Sequence, residues 1–572
     1  MTCGHVGHHQ RSGRAVRMAR RTDRRLQIAA LALAAAAAPA AAQTVVQSGP
    51  SAGAISSQVL SRQQATVQAA PPASTPAPAS TPAPAADPVA ADLSAERPGE
   101  GAVAPFVLVG VGFDASHFLP PDRLQAIAAR FVGHEVGAAE LAGIVAAVNK
   151  LYDDRGLVTA RAVLLPGAVS GGRVHVSLVE GRVGRVGVTG NGRLPANRAI
   201  DRVGLVPGEV IDVAALRHRL ALLNRATDTR TRAALQPGEQ FGLTDIQLSL
   251  VAPKADVVEL FGDNEGYDSA GRYEGSAYYR RTGILGATDR VTGYLSGSAG
   301  LLSGIASYDA PLLGATSRIG LSYGRSRIDI VDGVSAERRS RGVTESESIN
   351  YSQPIASSDA GLLVASLTAG ISSTRNYLGS DDLGATRTHR AGAGLAYSYA
   401  APETSAVVSI NGLYANAPVG GSTRESDFAV FSGTGSAEHL FERWSGVHLA
   451  AGWQVATASY LPSDLLFQIG GAATVRGYRQ GELTGDGGYY LNLEAELLPI
   501  RGARALTLFA FVDQGRVFTP LTDAKSLTAL GIGATAALGR HLTLRLTAGQ
   551  PIERIADEAK KVQLFARLGV TF

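Results

Sequence analysis

The sequence contains a single cysteine, Cys3, which precedes a basic and then aliphatic segment typical of a secretory leader. We expect a signal peptide over residues 1–42, cleaved after Ala42, because residues 40–42 are small alanines of the kind that a signal peptidase reads. The alternative is a transmembrane helix, which requires about 20 apolar residues. Loss of the leader would exclude disulfides and cysteine metal sites from the mature chain.

Long hydrophobic runs and an excess of positive charge are also missing. No apolar run after Gln43 reaches the roughly 18 residues of a spanning helix, so any membrane crossing requires a closed β-barrel. The leader carries seven arginines and one aspartate, which leaves 46 basic and 48 acidic residues in the mature chain. The net charge of +4 therefore does not indicate a nucleic-acid partner, and we expect none.

The segment after the leader has two parts. Residues 43–69 include "AISSQVLSRQQATVQ", which fits a short amphipathic helix with Ile55, Val59 and Leu60 on one side, and also fits a disordered tail. Residues 70–105 are rich in proline and alanine, a composition that cannot build a core and favours an extended spacer.

Two similar α+β units follow the spacer. Residues 106–182 predict strand, helix, helix, strand and strand, and residues 183–253 repeat this order after about 75 residues. A tandem array of small α+β domains is therefore expected. Such modules commonly bind an extended peptide at an open edge of their sheet.

Residues 254–572 alternate apolar and polar residues in segments of about ten, separated by glycine, aspartate, serine and proline. We count about sixteen strands, which favours a membrane β-barrel, with a large soluble sandwich or propeller as the alternative. The segment "LFARLGVTF", ending at Phe572, places its apolar residues on one face, as expected of an outer-membrane strand. The aromatic content of only 6% predicts thin interfacial girdles.

Motifs of enzymes are weak here. "GLSYG" around Ser322 matches the nucleophile elbow, but no helix follows it, so we expect an ordinary strand residue, with a hydrolase as the alternative. "GIGATA" at Gly531 lies inside a strand pattern and lacks a crossover unit. The histidines of this region show no metal-ligand spacing, and we expect them in loops or at interfaces: His389, His439, His448 and His541.

A long glycine-rich segment, "GGAATVRGYRQGELTGDGG" at residues 470–488, interrupts the strand pattern. About 35 residues after its "VRGY", the sequence "FVDQG" lies at the end of a predicted neighbouring strand, where Phe511, Asp513 and Gly515 share one face. A carboxylate facing the lumen favours a cation, which Arg476 on an inward loop would supply, with flanking glycines permitting close approach. A solvated Arg476 is the alternative.

The motifs "TVRGYRQGEL", "FAFVDQG", "FGDNEGYDSAGRYEGSAYY" and "GILGATDRV", with the two small domains, resemble the two-partner secretion transporters of the haemolysin secretion/activation family, the TpsB type. The resemblance covers residues 106–572. It implies two polypeptide-transport-associated (POTRA) domains, at residues 106–182 and 183–253, before a sixteen-stranded outer-membrane barrel at residues 254–572.

The resemblance also implies the roles of individual residues. Arg476 is expected at the tip of a loop tucked into the barrel, paired with Asp513, with Tyr478 and Phe511 fixing the tip. Val475, Gly477 and Gly515 complete the two motifs. Within residues 43–69, the segment from Ile55 to Gln64 corresponds to a helix that plugs the pore.

The implied function is export of a partner polypeptide, such as a haemolysin, adhesin or toxin, from the periplasm of a Gram-negative bacterium. The client is expected at the edges of the POTRA sheets, outer-membrane lipid around the barrel, and the barrel assembly machinery as a partner during biogenesis. No enzymatic activity, cofactor or metal is expected. Two alternatives are an assembly factor of the same superfamily, which should have more POTRA domains, and a passive porin, which should lack these domains and the arginine loop.

Overall fold

The computed structural model describes residues 51–68, 89–91, 104–190, 194–252, 254–286, 288–314, 316–358, 360–420, 422–441, 444–500, 504–518, 525–553 and 561–572. The predicted signal peptide lies outside the described residues, as does most of the spacer. None of the helices in the described residues is both long and apolar enough to cross a membrane.

The first α+β domain forms over residues 106–180. Its elements are β2 Phe106–Val107, β3 Gly110–Phe113, α2 Pro121–Ala128, β4 Glu135–Val136, α3 Ala138–Asp153, β5 Ala160–Val163, β6 Val169–Ser170 and β7 Arg173–Glu180, after α1 Ala52–Gln68 and β1 Val89–Ala91. The sheet has the order β3-β7-β5, and β6 also pairs with β7. Apolar residues at helical spacing on α3 pack onto alternate residues of β7, including Ile144, Val148 and Val176.

The second α+β domain repeats the arrangement. Its elements are β8 Arg182–Gly190, α4 Ala196–Val203, α5 Val213–Ala226, β9 Arg230–Pro237 and β10 Leu243–Val251. Leu216, Leu220 and Leu223 of α5 are buried against the sheet, as their spacing predicts. The sheet order is β1-β9-β10-β8, so the spacer strand β1 lies at one edge. Sequence reasoning predicted an extended spacer and missed this pairing.

The remaining chain closes into an antiparallel barrel of sixteen strands, which confirms the predicted fold class. These strands, with the small hairpin β22–β23 in one loop, are β11 Asp256–Asp263, β12 Glu274–Thr282, β13 Arg290–Gly297, β14 Leu301–Pro311, β15 Arg318–Asp329, β16 Ser340–Ser357, β17 Gly361–Leu378, β18 Asp381–Ala400, β19 Thr404–Pro418, β20 Glu425–Phe441, β21 Ser445–Ala456, β22 Phe467–Ile469, β23 Leu483–Gly485, β24 Gly487–Leu497, β25 Leu506–Phe518, β26 Lys525–Leu538, β27 Leu542–Pro551 and β28 Gln563–Thr571. The first strand, β11, pairs with the last, β28.

Alternation along each strand sorts the side chains into two environments. On β15, Ser322 and Ser326 are buried towards the lumen, whereas Leu321 and Tyr323 are exposed on the outer face. The outer surface is therefore apolar and the lumen polar, as in transmembrane barrels. Of the four barrel histidines expected in loops or at interfaces, His389, His439 and His448 lie within strands and His541 lies in a turn.

Helix α1 lies inside the lumen against β13 to β17. Ile55 and Val59 pack with Tyr267 and Ile328, and the polar face is held by glutamines. The side chain of Gln63 bonds Ser296 and Ser303 at 2.8 Å each, on adjacent strands. Both hydrogen bonds and apolar packing therefore hold α1 against the barrel wall.

The second α+β domain contacts the rim of the barrel. Asp228 lies 3.4 Å from Arg290 at the start of β13, and Arg290 is also 2.9 Å from Asp309. Arg225 of α5 donates to the carbonyl oxygen of Gly361 at 2.9 Å. These contacts place the second domain at the mouth from which β11 begins.

Replacing Leu220, which is fully buried in the second domain, by alanine should destabilise that domain by about 2–5 kcal/mol. Proteolysis of the domain in the detergent-solubilised full chain should accelerate by about 30-fold or more, because cleavage follows the population of locally unfolded states. Val206→Ala, at an exposed site, is the control. Equal cleavage rates for the two variants would contradict this core assignment.

Candidate functional site in the barrel lumen

The loop between β21 and β24, residues 457–486, folds back into the barrel, and we call it the inward loop. Within this loop, β22 and β23 form a short antiparallel hairpin that holds its two arms together, with Phe467 paired to Gly485 and Ile469 to Leu483. Beyond the hairpin, Val475 and Arg476 are buried, with Arg476 only 4% exposed. The tip of the loop therefore lies against the wall rather than in solvent.

Two glycines make the close approach of the tip possible. Gly477 has a φ of +142°, a backbone conformation that residues with a Cβ rarely adopt. Gly549 on β27 lies directly under the carbonyl oxygen of Arg476, and a Cβ at this position would overlap that oxygen. Gly477 belongs to the predicted motif, whereas Gly549 was not anticipated.

The Arg476 guanidinium is bound to Asp513 of β25 by two hydrogen bonds. Its Nε lies 2.8 Å from Oδ2 and its Nη2 2.7 Å from Oδ1, while the backbone N–H of Arg476 donates to Oδ2 at 2.9 Å. Asp513 is completely buried. Such a fork between a guanidinium and a carboxylate fixes both distance and orientation.

A second carboxylate and an aromatic ring complete the surroundings of Arg476. Glu494 of β24 accepts a hydrogen bond from Nη1 and also lies 3.3 Å from Arg545 of β27. The guanidinium carbon is 3.7 Å from the centre of the Phe511 ring. The two arginines and two carboxylates balance in charge, which reduces the cost of burying them.

The flanking residues anchor the tip on both sides. Val475 packs in an apolar cluster with Ile469 and Val517, beside Gly515. The Tyr478 hydroxyl lies 3.0 Å from the carbonyl oxygen of Thr528 and accepts from the backbone N–H of Glu553 at 3.1 Å. The tip is thus held by the guanidinium, one aliphatic side chain and one phenol.

The structure brings together all seven residues singled out from the sequence, with "FVDQG" inside β25 rather than at its end. Sequence reasoning missed Glu494, although "LNLEAEL" carried a signal. In that segment Asn492, Glu494 and Glu496 alternate with apolar residues, which places three polar side chains on the lumen face.

Two serines of the lumen wall bond each other, and one of them also contacts α1. Ser322 Oγ lies 2.7 Å from Ser348 Oγ, and Ser348 also accepts from Gln64 of α1. Within the described ranges, no group of three or more His, Cys, Asp or Glu side chains is placed to hold a metal ion.

A closed barrel with a helix in its lumen, an inward arginine loop locked to the wall and tandem α+β domains at one mouth defines an outer-membrane polypeptide transporter. Sequence profiles agree with this class. The haemolysin secretion/activation protein ShlB/FhaC/HecB family matches residues 242–538, and the ShlB-type POTRA domain matches residues 106–181. The chain belongs to the haemolysin secretion/activation family, which confirms the resemblance read from the sequence.

Individual relatives share the architecture. The outer membrane transporter CdiB of Dickeya dadantii (strain 3937) is 24% identical over 498 residues, covering 82% of this chain and 87% of the relative. The solved structure of CdiB from Escherichia coli has a TM-score of 0.66 at 19% identity, covering 92% of this chain and 100% of that chain. BamA from Haemophilus ducreyi lacking POTRA domains 1–3 has a TM-score of 0.51 at 14% identity, covering 82% of this chain and 100% of that chain.

The chain is accordingly a two-partner secretion transporter of the outer membrane, with its POTRA domains in the periplasm. Helices and strands of the first domain fall within the matched POTRA segment.

Arg476→Ala should release the inward loop, because removing one partner of a buried ion pair costs about 3–5 kcal/mol. A single reporter cysteine, Val475→Cys, at a fully buried position, should then react with maleimide about 100-fold faster or more. Arg476→Lys should be intermediate, since lysine lacks the planar fork.

Arg479→Ala is the matched control, because Arg479 belongs to the same loop but forms a partly exposed pair with Asp268. Labelling that is equally slow in the Val475→Cys chain with and without Arg476→Ala would show that the ion pair does not hold the loop.

Proposed function

We propose that the chain captures an extended segment of a large exoprotein at its POTRA sheets and passes it through the barrel lumen. The proposed clients are haemolysins, adhesins or contact-dependent toxins. The observation that carries the proposal is the joint occupation of the lumen by α1 and the inward loop, which an extended polypeptide has to displace.

The sheet edges support capture by strand addition. In the second domain, the edge of β9 is covered by the spacer strand, with Val89 opposite Ala233 and Ala91 opposite Leu235. A short strand of the same chain thus occupies the position that a client strand would take.

The first domain offers the corresponding edge without such a cover in the described residues. Asn149 bonds both backbone groups of Ala162 on β5, and Asn224 bonds those of Thr231 on β9 in the same way. The two domains therefore share one edge geometry. Because Asn149 already satisfies Ala162, and β1 pairs with β9 only beyond Thr231, we assign the positions that follow Ala162 as the first docking place of the client.

Release of the lumen would follow capture. Gln58 of α1 donates to the carbonyl oxygen of Leu466 at 2.7 Å, so the helix and the inward loop are in direct contact. Directed transport would come from folding of the client outside the cell, since the sequence shows no nucleotide-binding motif. The Arg476 and Asp513 pair would define the seated position of the loop between transport events.

The alternatives remain distinguishable. An assembly factor is expected to have more POTRA domains than the two described, and the likeness to BamA concerns the fold. A hydrolase would require Ser322 to be activated, but its hydroxyl bonds Ser348. A serine-reactive probe that labels the purified barrel would favour that alternative. We further propose that the barrel assembly machinery inserts this chain, as an outer-membrane barrel with an apolar outer face.

Deleting the gene for this chain should remove one large protein from the culture medium while other outer-membrane proteins keep their levels. Complementation with wild type or Arg479→Ala should restore secretion. Complementation with Arg476→Ala should restore less, because the inward loop loses its ion pair with Asp513. Comparative proteomics of medium and outer membranes measures both. A general fall of barrel proteins without loss of a secreted protein would support an assembly factor instead.

Weakening the pairing of β1 with β9 should increase the affinity for the client, because β1 occupies the sheet edge that the client strand would bind. The substitutions Val89→Pro, Ala90→Gly and Ala91→Pro together remove two backbone donors and disfavour the strand. The full chain should then bind an N-terminal segment of the secreted client several-fold more tightly in a direct titration.

The control is Ala77→Pro with Ala79→Pro, elsewhere in the spacer. Unchanged affinity after the triple substitution would mean that β1 does not compete with the client.

A further inference from the structure

The motif "FGDNEGYDSAGR", residues 261–272, includes residues outside the site described above, among them Asn264 and Arg272. It begins at the end of β11 and continues into the loop before β12. β11 is one of the two strands at the seam of the barrel, where the first and last strands meet. The placement of the motif therefore raises the question of how the seam is held.

The seam has the shortest ladder of the described barrel. β11 and β28 share five paired positions, from Glu259 with Thr571 to Asp263 with Arg567, whereas the neighbouring pairs β11–β12 and β27–β28 share eight each. The seam strands are also far apart in the chain, unlike every pair joined by a turn. A short connection lowers the entropic cost of pairing two strands. At the seam, backbone and side-chain hydrogen bonds must offset this larger cost instead.

Asn264 continues the ladder with its side chain where the strand stops. Its Nδ2 donates to the carbonyl oxygen of Leu564 at 2.9 Å, and its Oδ1 accepts from the N–H of Ala566 at 2.8 Å. Its own N–H lies 3.3 Å from the carbonyl oxygen of Ala566. The carboxamide thus reproduces the donor and acceptor of a peptide unit at the next position of the ladder.

Arg272 reinforces this contact from the other end of the motif. Its Nη2 donates to the carbonyl oxygen of Leu564 at 3.0 Å, and its Nε donates to the carbonyl oxygen of Asn264 at 3.2 Å. Arg272 therefore joins the two ends of the loop between β11 and β12 and also binds that loop to β28. On the lumen side, Arg567 of β28 lies over the ring of Phe261 at 4.3 Å, which adds a further contact across the seam.

The same loop touches both occupants of the lumen. The Tyr267 hydroxyl donates to Gln468 of the inward loop at 2.7 Å, and Arg62 of α1 lies over the Tyr267 ring at 5.4 Å. Asp268 is 3.1 Å from Arg479 of the inward loop. Movement of α1 or of the inward loop during transport would therefore displace Tyr267 and Asp268, which lie next to the seam.

We propose that Asn264 and Arg272 form a side-chain clasp that keeps the β11–β28 seam closed while the lumen is cleared. The clasp directs an extended polypeptide through the lumen and prevents its escape sideways into the lipid. Its residues are positioning residues, since they hold the wall and do not contact the client.

The test measures the temperature at which the purified full chain, folded in detergent, converts to its unfolded form in gel electrophoresis. Asn264→Ala and Arg272→Ala should each lower this temperature by about 2–4 °C, because each removes hydrogen bonds at the shortest strand pair. Asn264→Asp keeps the acceptor and loses the donor, so its drop should be smaller.

Asn416→Ala is the matched control, because Asn416 also joins two strands through its side chain, at 2.8 Å from Asp427, but these strands follow one another in the chain. A disulfide between Leu260→Cys and Val570→Cys, which lie opposite each other across the seam, should abolish the drop under oxidising conditions and not under reducing conditions.

Three results would overturn the clasp: an unchanged temperature in both alanine variants, an equal drop in Asn416→Ala, or a drop that the oxidised disulfide does not remove. None of these readouts depends on export. The clasp therefore stands or falls separately from the proposed capture of a client.

Discussion

Closure of the backbone ladder is the constraint on which the rest of this structure depends. In lipid, every amide and carbonyl group requires a partner within the protein, and an antiparallel barrel provides one only when its last strand returns to its first. Closure also determines which face of each strand meets lipid, because alternate residues point to opposite sides. On β15 this places Leu321 and Tyr323 outside and Ser322 inside.

A polar lumen follows from closure and makes the buried ion pairs possible. Arg476, Asp513, Glu494 and Arg545 lie together because three strands and one loop point these side chains to the same side. A buried charge is tolerated when it is paired and hydrogen-bonded, and this group balances two positive charges with two negative ones. The inward loop therefore gains a defined position at little electrostatic cost.

The two halves of the chain treat strand edges in opposite ways. The barrel leaves no open edge, and where its ladder is shortest Asn264 and Arg272 add side-chain bonds. The POTRA domains keep edges that can accept a strand, and one of these carries the spacer strand β1. The edge of β9 thus pairs with a remote segment of the chain, whereas every barrel strand pairs with a barrel strand on both sides.

The sequence by itself determined the class of the two α+β domains and of the barrel, because periodicity is a local property. Alternation of period two marked the barrel strands, and leucines at helical spacing marked α5. The motifs around Arg476 and Asp513 are also local, and they identified one loop and one strand as the candidate site. What only the tertiary structure decided depends on contacts between distant residues. Arg545 and Gly549 join the site through strand register, which no local pattern encodes. For Glu494, alternation indicates the lumen face, but only the register brings it to Arg476. Likewise, the pairing of β1 with β9 and the bonds of Asn264 across the seam arise only when remote segments are brought together by folding.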